Sequence, residues 1–292
     1  MKVLFSAVFT KASTNYAQAG GFEQLGHEVI RFPLRDFAPH IGWPATCDKL
    51  LDIVREEKPD IVLFSKCHEI ELRAWSAIKD MGSVVSYWYM DPMSNYSYDI
   101  EQRVKHSDVV FCGLWDPYQH SLRINVNSHF LQEGYDHLQN FPIETDWPVK
   151  DISFIGNLRS QKRADYHQKI GFPVVHNAYG EDHSRAVCST KINLNFTEGG
   201  CSDRVYKVLA SGGFLLTEPW PNMEQDFEVG KDFAIFLDAD ELREKIEYYL
   251  AHDEERKSIA EHGRNTVQKF SRINWAAQII DKSTPFVIER QS

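Results

Sequence analysis

The sequence predicts an α/β protein built from two Rossmann-like halves, each around a parallel sheet. Three observations carry that prediction. Short apolar runs alternate with helix-like stretches in both halves. The apolar runs are continuous rather than alternating in polarity. One aperiodic segment with two prolines, "NFPIETDWPVK" (140–150), interrupts the pattern midway. Strands alternating with helices imply βαβ units and right-handed crossovers. Continuously apolar strands belong in a sheet covered on both faces.

In order along the first half, the strand-like runs are 2–9, 27–32, 60–65, 83–90, 108–114 and 128–132. Between them lie helical patterns such as 46–59, with Leu50, Leu51 and Val54 on one face, and 69–82. After the break the alternation restarts with "DISFIGN" (151–157), a basic helix to about 169, "FPVVHN" and "TKINLNF" (190–196). A helix from Ser202, a short strand, "DFAIFLD" (232–238) and two closing helices complete the second half. The expected domains are 1–148 and 149–271, with 272–292 crossing back onto the first through Trp275, Ile279 and Ile280. No internal repeat or low-complexity tract is visible.

Bulk properties narrow the function classes. The chain has 292 residues and 42% apolar content, ample for packed cores, and a net charge of −10 that does not advertise a broad nucleic-acid surface. Five scattered cysteines without CxxC spacing fit a reduced, cytoplasmic protein. The first residues read as a strand rather than a signal peptide, and no apolar run reaches membrane-spanning length.

In parallel α/β folds ligands sit beyond the carboxyl ends of the strands. That rule selects 10–21, 66–69, Asp91 and 133–136 in the first half, and 157–163, 195–202 and Glu218 in the second. The stretch "SDRVYKVLASGGFLLTEP" (202–219) stands out. On a helix from Ser202, Val205, Val208 and Leu209 form a buried stripe, while Arg204, Lys207 and Ser211 form a polar face. The helix N-terminus, capped by Ser202 or Asp203, would offer free amides to an anion, and Gly212–Gly213 would give a left-handed exit. An ordinary amphipathic helix with a glycine cap reads the same residues equally simply. The segment "GNLRSQKRADYHQK" (156–169) carries Arg159, Lys162, Arg163 and Lys169 against Asp165, a basic patch inside an acidic protein. It reads as a diphosphate cradle or as a solvated helix face. Asp91, between a strongly apolar run and Pro92, is either a general base or the cap of an Asx turn. His68 and Glu69 compete with it for the basic role.

The blocks 151–163, 190–195, 202–219 and "FEVGKDFAIFLDADELREKIEYYLAHDEERKSIAEHGR" resemble, in order, the C-terminal domain of GT-B glycosyltransferases, in particular the CgeB-like group. The likeness covers about 150–270 and thins over the first half to "LGHEV", "KPDIVLFSK" and "YMDP". It implies a GT-B fold and transfer of a sugar from a nucleotide-diphosphate sugar, a UDP-sugar ahead of a GDP-sugar, to an acceptor hydroxyl. The donor is then a substrate and no resident cofactor or metal is expected. The donor-side residues implied are Asn157, Arg159, Arg163, Thr197 and Ser202, followed by Arg204, Tyr206, Lys207 and Gly212. Catalysis falls to Asp91, His68 or Glu69. Lys207 departs from the pattern, which often has Glu there for ribose or sugar hydroxyls. The first loop, with Gly20 and Gly21, is a weaker match to the glycine-bearing loop after the first strand. The acceptor class stays open: small molecule, polysaccharide, protein or modified DNA base. The two rival readings are a phage-type DNA-base glycosyltransferase and a two-lobed sugar- or nucleotide-binding protein without turnover.

Overall fold

A computed structural model describes residues 1–10 and 13–292 and divides into two compact units, 1–133 with 272–292, and 134–271. In the first unit the strands are β1 (Lys2–Ala7), β2 (Glu28–Pro33), β3 (Ile61–Ser65), β4 (Val84–Tyr89), β5 (Val109–Cys112) and β6 (Ser128–Phe130). They form one parallel sheet in the order β2-β1-β3-β4-β5-β6. The helices are α1 (Asn15–Gln24), α2 (Leu34–Glu57), α3 (Arg73–Asp80), α4 (Tyr98–His106) and α5 (Trp115–Ile124). α2 starts earlier than its periodicity predicts and kinks at Gly42, whose φ of 80° breaks the helix between Pro39 and Pro44.

The unbroken apolar strands serve two cores, because successive side chains point to opposite faces. Val62, Phe64, Val85 and Tyr87 pack on Leu50, Val54, Trp75 and Ile78 of α2 and α3. Ile61, Leu63, Val84 and Trp88 face the other way, onto Ala19 and Phe22 of α1. Gly20 and Gly21 lie inside α1, not in a loop after β1. A Cβ on Gly21 would collide with the Arg272 carbonyl, so that glycine serves helix packing. The loop match had also drawn on Lys11 and Ala12, which lie outside the described residues.

The second unit holds β7 (Lys150–Ile155), β8 (Val174–Val175), β9 (Thr190–Asn195), β10 (Leu215–Thr217) and β11 (Ala234–Ile235). All pairs are parallel, in the order β11-β10-β9-β7-β8. Its helices are α6 (Gln161–Ile170), α7 (Glu181–Cys188), α8 (Asp203–Ala210), α9 (Ala239–Ala251) and α10 (Asp253–Thr266). α7 has no counterpart in the sequence reading, since "EDHSRAVC" offers little apolar periodicity. The direction of winding reverses between β7 and β9, so a crevice opens at their carboxyl ends.

The last helix, α11 (Arg272–Gln291), packs in the first unit, with Trp275, Ala276 and Ile279 in the core under α1. The boundary expected after residue 148 lies at 133/134 instead. The intervening segment is stitched to the second unit: Tyr135 bridges Ser271, Ser184 donates to the Gln139 carbonyl at 2.9 Å, and the Ile143 amide reaches Cys188 Sγ at 3.4 Å. No helix among the described residues is long and apolar enough to cross a membrane.

Candidate active site

The crevice between β7 and β9 is built around a phenyl ring and two arginines. Phe154, near the end of β7, is fully buried. The Arg204 guanidinium, from the first turn of α8, stacks over its ring at 4.6 Å, and that of Arg163, from α6, lies over the same ring at 5.6 Å. Arg204 Nε donates to the Ile155 carbonyl at 2.6 Å and Nη1 to Asn195 Oδ1 at 2.8 Å. Asn195, the last residue of β9, donates in turn to Thr217 Oγ1 at 2.9 Å, which fixes its amide orientation. A Cβ on Gly156 would stand 3.0 Å from Arg204 Nη2 and 2.9 Å from the Phe154 ring, so glycine leaves the room for the guanidinium.

Arg204 has no ion-pair partner among the described residues. Burial pushes its guanidinium down to about 10, Asp203 opposes that shift, and repulsion from Arg163 adds to it. A cation desolvated without a counter-ion is unfavourable and attracts an anion. Arg163 is answered by Glu198 alone, with Nε–Oε1 of 3.4 Å, and that carboxylate is on an exposed loop. The α8 N-terminus opens beside them. Ser202 is the N-cap residue but makes no capping bond, its hydroxyl instead lying 3.4 Å from Asn195 Oδ1. Two guanidiniums on one ring, beside a helix N-terminus, suit a phosphate ester with more than one negative charge.

The remaining second-unit candidates separate. Thr197 is buried and gives its amide (2.8 Å) to the Glu218 carboxylate, which also takes Lys162 Nζ at 2.8 Å. Asn157 Oδ1 accepts the Arg159 amide at 3.1 Å, forming an Asx turn at the crevice mouth, and the exposed Arg159 guanidinium makes no hydrogen bond or ion pair among the described residues. Lys207 is drawn back to Asp203, one turn earlier, at 2.5 Å. Tyr206 faces the core, its ring 5.1 Å from Phe270 and 6.2 Å from Phe227. Ser211, expected on the polar face, is buried and bonded to Ser184 Oγ at 2.9 Å. Gly212 sits at the far end of α8, with φ 75° and Pro142 closing over it. Tyr206, Ser211 and Gly212 therefore stand outside the crevice, since a helix turns each successive residue by about 100° and carries it along the axis.

In the first unit, sheet order likewise reverses between β1 and β3, and the loop after β3 carries Lys66, His68 and Glu69. Lys66, held at φ 52°, pairs with Asp91 at the end of β4 at 3.3 Å. Glu69 lies 3.8 Å from Arg35 of α2. His68 is half-buried and its Nδ1 has no hydrogen-bond partner. Burial pushes its imidazole down, Arg103 and Lys66 act in the same sense, and Glu69 and Asp91 oppose them. A histidine held neutral keeps a lone pair for a proton. No cluster of His, Cys, Asp or Glu able to hold a metal occurs among the described residues, and all five cysteines are free thiols.

Sequence reasoning missed Phe154, and it gave no individual role to Asn195 and Glu198, inside the selected 195–202, or to Gly156, at the start of the basic segment. Phe154 reads as ordinary core. Asn195 left a signal: Asn193 and Asn195 alternate with Ile192 and Leu194 in β9, and both are buried.

Residues 142–281 match a family model described as glycosyl transferase-like. No curated protein matches the chain. Solved structures do. HepE from Anabaena, in complex with UDP-glucose, superposes with a TM-score of 0.68 at 11% identity, covering 98% of this chain and 100% of that one. A sucrose-phosphate synthase from Thermosynechococcus elongatus gives 0.71 at 10%, with 99% of each chain covered. The lipopolysaccharide outer core galactosyltransferase WaaB, in its apo form, gives 0.58 at 13% over the whole of both chains. At such identities the likeness speaks for the fold.

Proposed function

We propose, from the match of residues 142–281 to the glycosyl transferase-like model and from the fold shared with HepE and the sucrose-phosphate synthase, that this chain is a GT-B glycosyltransferase that moves a sugar from a UDP-sugar to an acceptor hydroxyl. The observation that carries this reading is the Arg204–Phe154–Arg163 stack: a desolvated guanidinium without a counter-ion, beside a second one, at the topological switch of the second sheet. The diphosphate of the donor neutralises both cations. The preference for UDP over GDP draws on HepE, a protein of the same fold seen with UDP-glucose.

In the transfer, the acceptor oxygen forms a bond to the anomeric carbon as the bond from that carbon to the diphosphate oxygen breaks. The electron pair leaves with the diphosphate, where Arg204, Arg163 and the α8 amides meet the growing charge. The acceptor proton goes to a base from the first unit. His68 takes that role ahead of Asp91, because Asp91 is already committed to Lys66 at 3.3 Å while His68 is held neutral. Asp91 and Glu69 are left to orient the acceptor. Because fixed cations serve the leaving group, activity is expected to survive EDTA.

The test is calorimetric titration of UDP, with GDP alongside, into the wild type and Arg204→Met. Loss of one charge-assisted phosphate contact should weaken UDP by about 100-fold, about 2.7 kcal/mol. Equal UDP affinity in both proteins would overturn the reading.

A further inference from the structure

The β3–α3 loop has an anchor beyond its own turn bond from the Ile70 amide to the Cys67 carbonyl at 3.2 Å. Its anchor is on another element, α4, whose Arg103 is 5% exposed and has no ion pair among the described residues. Three main-chain carbonyls receive its guanidinium. Nη1 donates to Asp99 at 2.8 Å, within α4, and Nη2 donates to His68 at 2.5 Å and Ile70 at 3.0 Å. The plane lies over the Trp75 ring at 5.6 Å, and Trp75 is itself pinned by its indole N–H to Ser107 at 3.0 Å. One side chain thus clamps the carbonyls on either side of Glu69. Burying a cation on carbonyls alone is a costly way to close a surface loop. No neutral side chain offers the forked donors that reach three carbonyls at once, which is what the guanidinium does here.

We propose that Arg103 is a positioning residue for the transfer: its forked hydrogen bonds fix the backbone of residues 68–70, and with it the place and surroundings of His68. The proposal rests on the reading of His68 as the base. The charged groups facing His68 are Lys66 and Glu69 from its own loop, Asp91 from the end of β4, and Arg103 from α4. Arg35 of α2 reaches only Glu69. Burial acts most strongly on His68, Glu69 and Asp91 oppose it, and Arg103 and Lys66 act with it, Lys66 being itself paired with Asp91.

Two variants separate geometry from charge. Arg103→Met removes the donors and the charge, and Arg103→Lys keeps the charge with a single ammonium. The first readout needs no turnover: NMR titration of the histidine ring protons, with the His68 signal assigned by its loss in His68→Asn. Arg103→Met should raise the His68 midpoint by about one pH unit, and Arg103→Lys should leave it within about 0.3 units. The second readout is hydrolysis of UDP-glucose. Arg103→Lys should lose about tenfold in kcat with donor KM unchanged, from misplacement of the loop, and its acid limb should stay in place. In Arg103→Met the acid limb should follow the NMR midpoint upward.

An unshifted His68 midpoint in Arg103→Met, or full kcat in Arg103→Lys, overturns the proposal. If Arg103→Met does not fold, Arg103→Lys alone decides it through kcat. Full activity in His68→Asn would instead sink the assignment of the base. An inactive His68→Asn beside unaffected Arg103 variants would sink only the role of Arg103.

Discussion

The two ends of α8 lie about 12 Å apart along one eight-residue helix, and they answer to different constraints. At its start, Arg204 reaches out of the helix to the Ile155 carbonyl and Asn195 and stacks on Phe154. At its end, Gly212 takes a left-handed φ of 75°, and a Cβ on Gly213 would run into Val187 and stand 2.9 Å from Asn193 Nδ2. The glycine pair looks like the phosphate signal in the sequence, yet it reports close packing of α8 on α7 and β9. The proposed anion site is marked by a half-buried arginine without an ion-pair partner among the described residues. A doublet of glycines states where backbone comes close; only charge and desolvation state what is to be bound.

Acid should test that division most severely. His183 of α7 is 6% exposed. Burial, reinforced by Lys207 of α8, pushes its imidazole down to about 3. The unfolded chain takes up this proton near 6.5 and the folded chain only near 3. Stability from the neutral ring is therefore complete above pH 6.5 and lost as pH falls towards 3, by up to roughly 5 kcal/mol. Urea midpoints measured from pH 7 to 4 should fall steeply in the wild type and less in His183→Asn. An equal slope in the two would show that the start of α8 carries no such structural load.

Gly213→Ala comes next. The added methyl must displace Val187 or Asn193, and the expected loss is about 2 kcal/mol of unfolding free energy with UDP affinity unchanged. Weaker UDP binding by the folded protein would erase the contrast between the ends. Gly212→Ala should lose about 1 kcal/mol, the strain of a left-handed residue with a side chain, again with UDP binding intact. The smallest effect belongs to Glu198→Gln. Removing the exposed carboxylate that competes for Arg163 should tighten UDP about twofold, near 0.5 kcal/mol, in calorimetry at low salt.

Much of the fold was legible. The first-unit strands fall inside their expected runs to within a residue, because buried parallel strands are nearly uninterrupted apolar segments and few other structures produce them. α7 was hidden, since a short polar helix has no stripe to display. The site was half legible. The rule that ligands gather at the carboxyl ends of parallel strands selected Arg163, His68 and Asp91. The reading of 202–219 added Arg204, and the resemblance added Tyr206 and Gly212, whose helical phase and position turn them into the core and the far end of α8. Glu218 looked like a free carboxylate beyond β10 and is instead satisfied by Thr197 and Lys162.

By itself the sequence determined the two-sheet architecture, the alternation of its elements and the neighbourhood of the anion cradle. These follow from hydrophobic periodicity and strand polarity, which are local properties of the chain. Tertiary structure alone decided which cations lack a counter-ion. Arg204, Arg163 and Lys207 are equivalent as letters. Their difference lies in whether a carboxylate stands within reach and how much water remains, and both depend on residues distant in the chain: Glu198 for Arg163, Phe154 and Asn195 for Arg204.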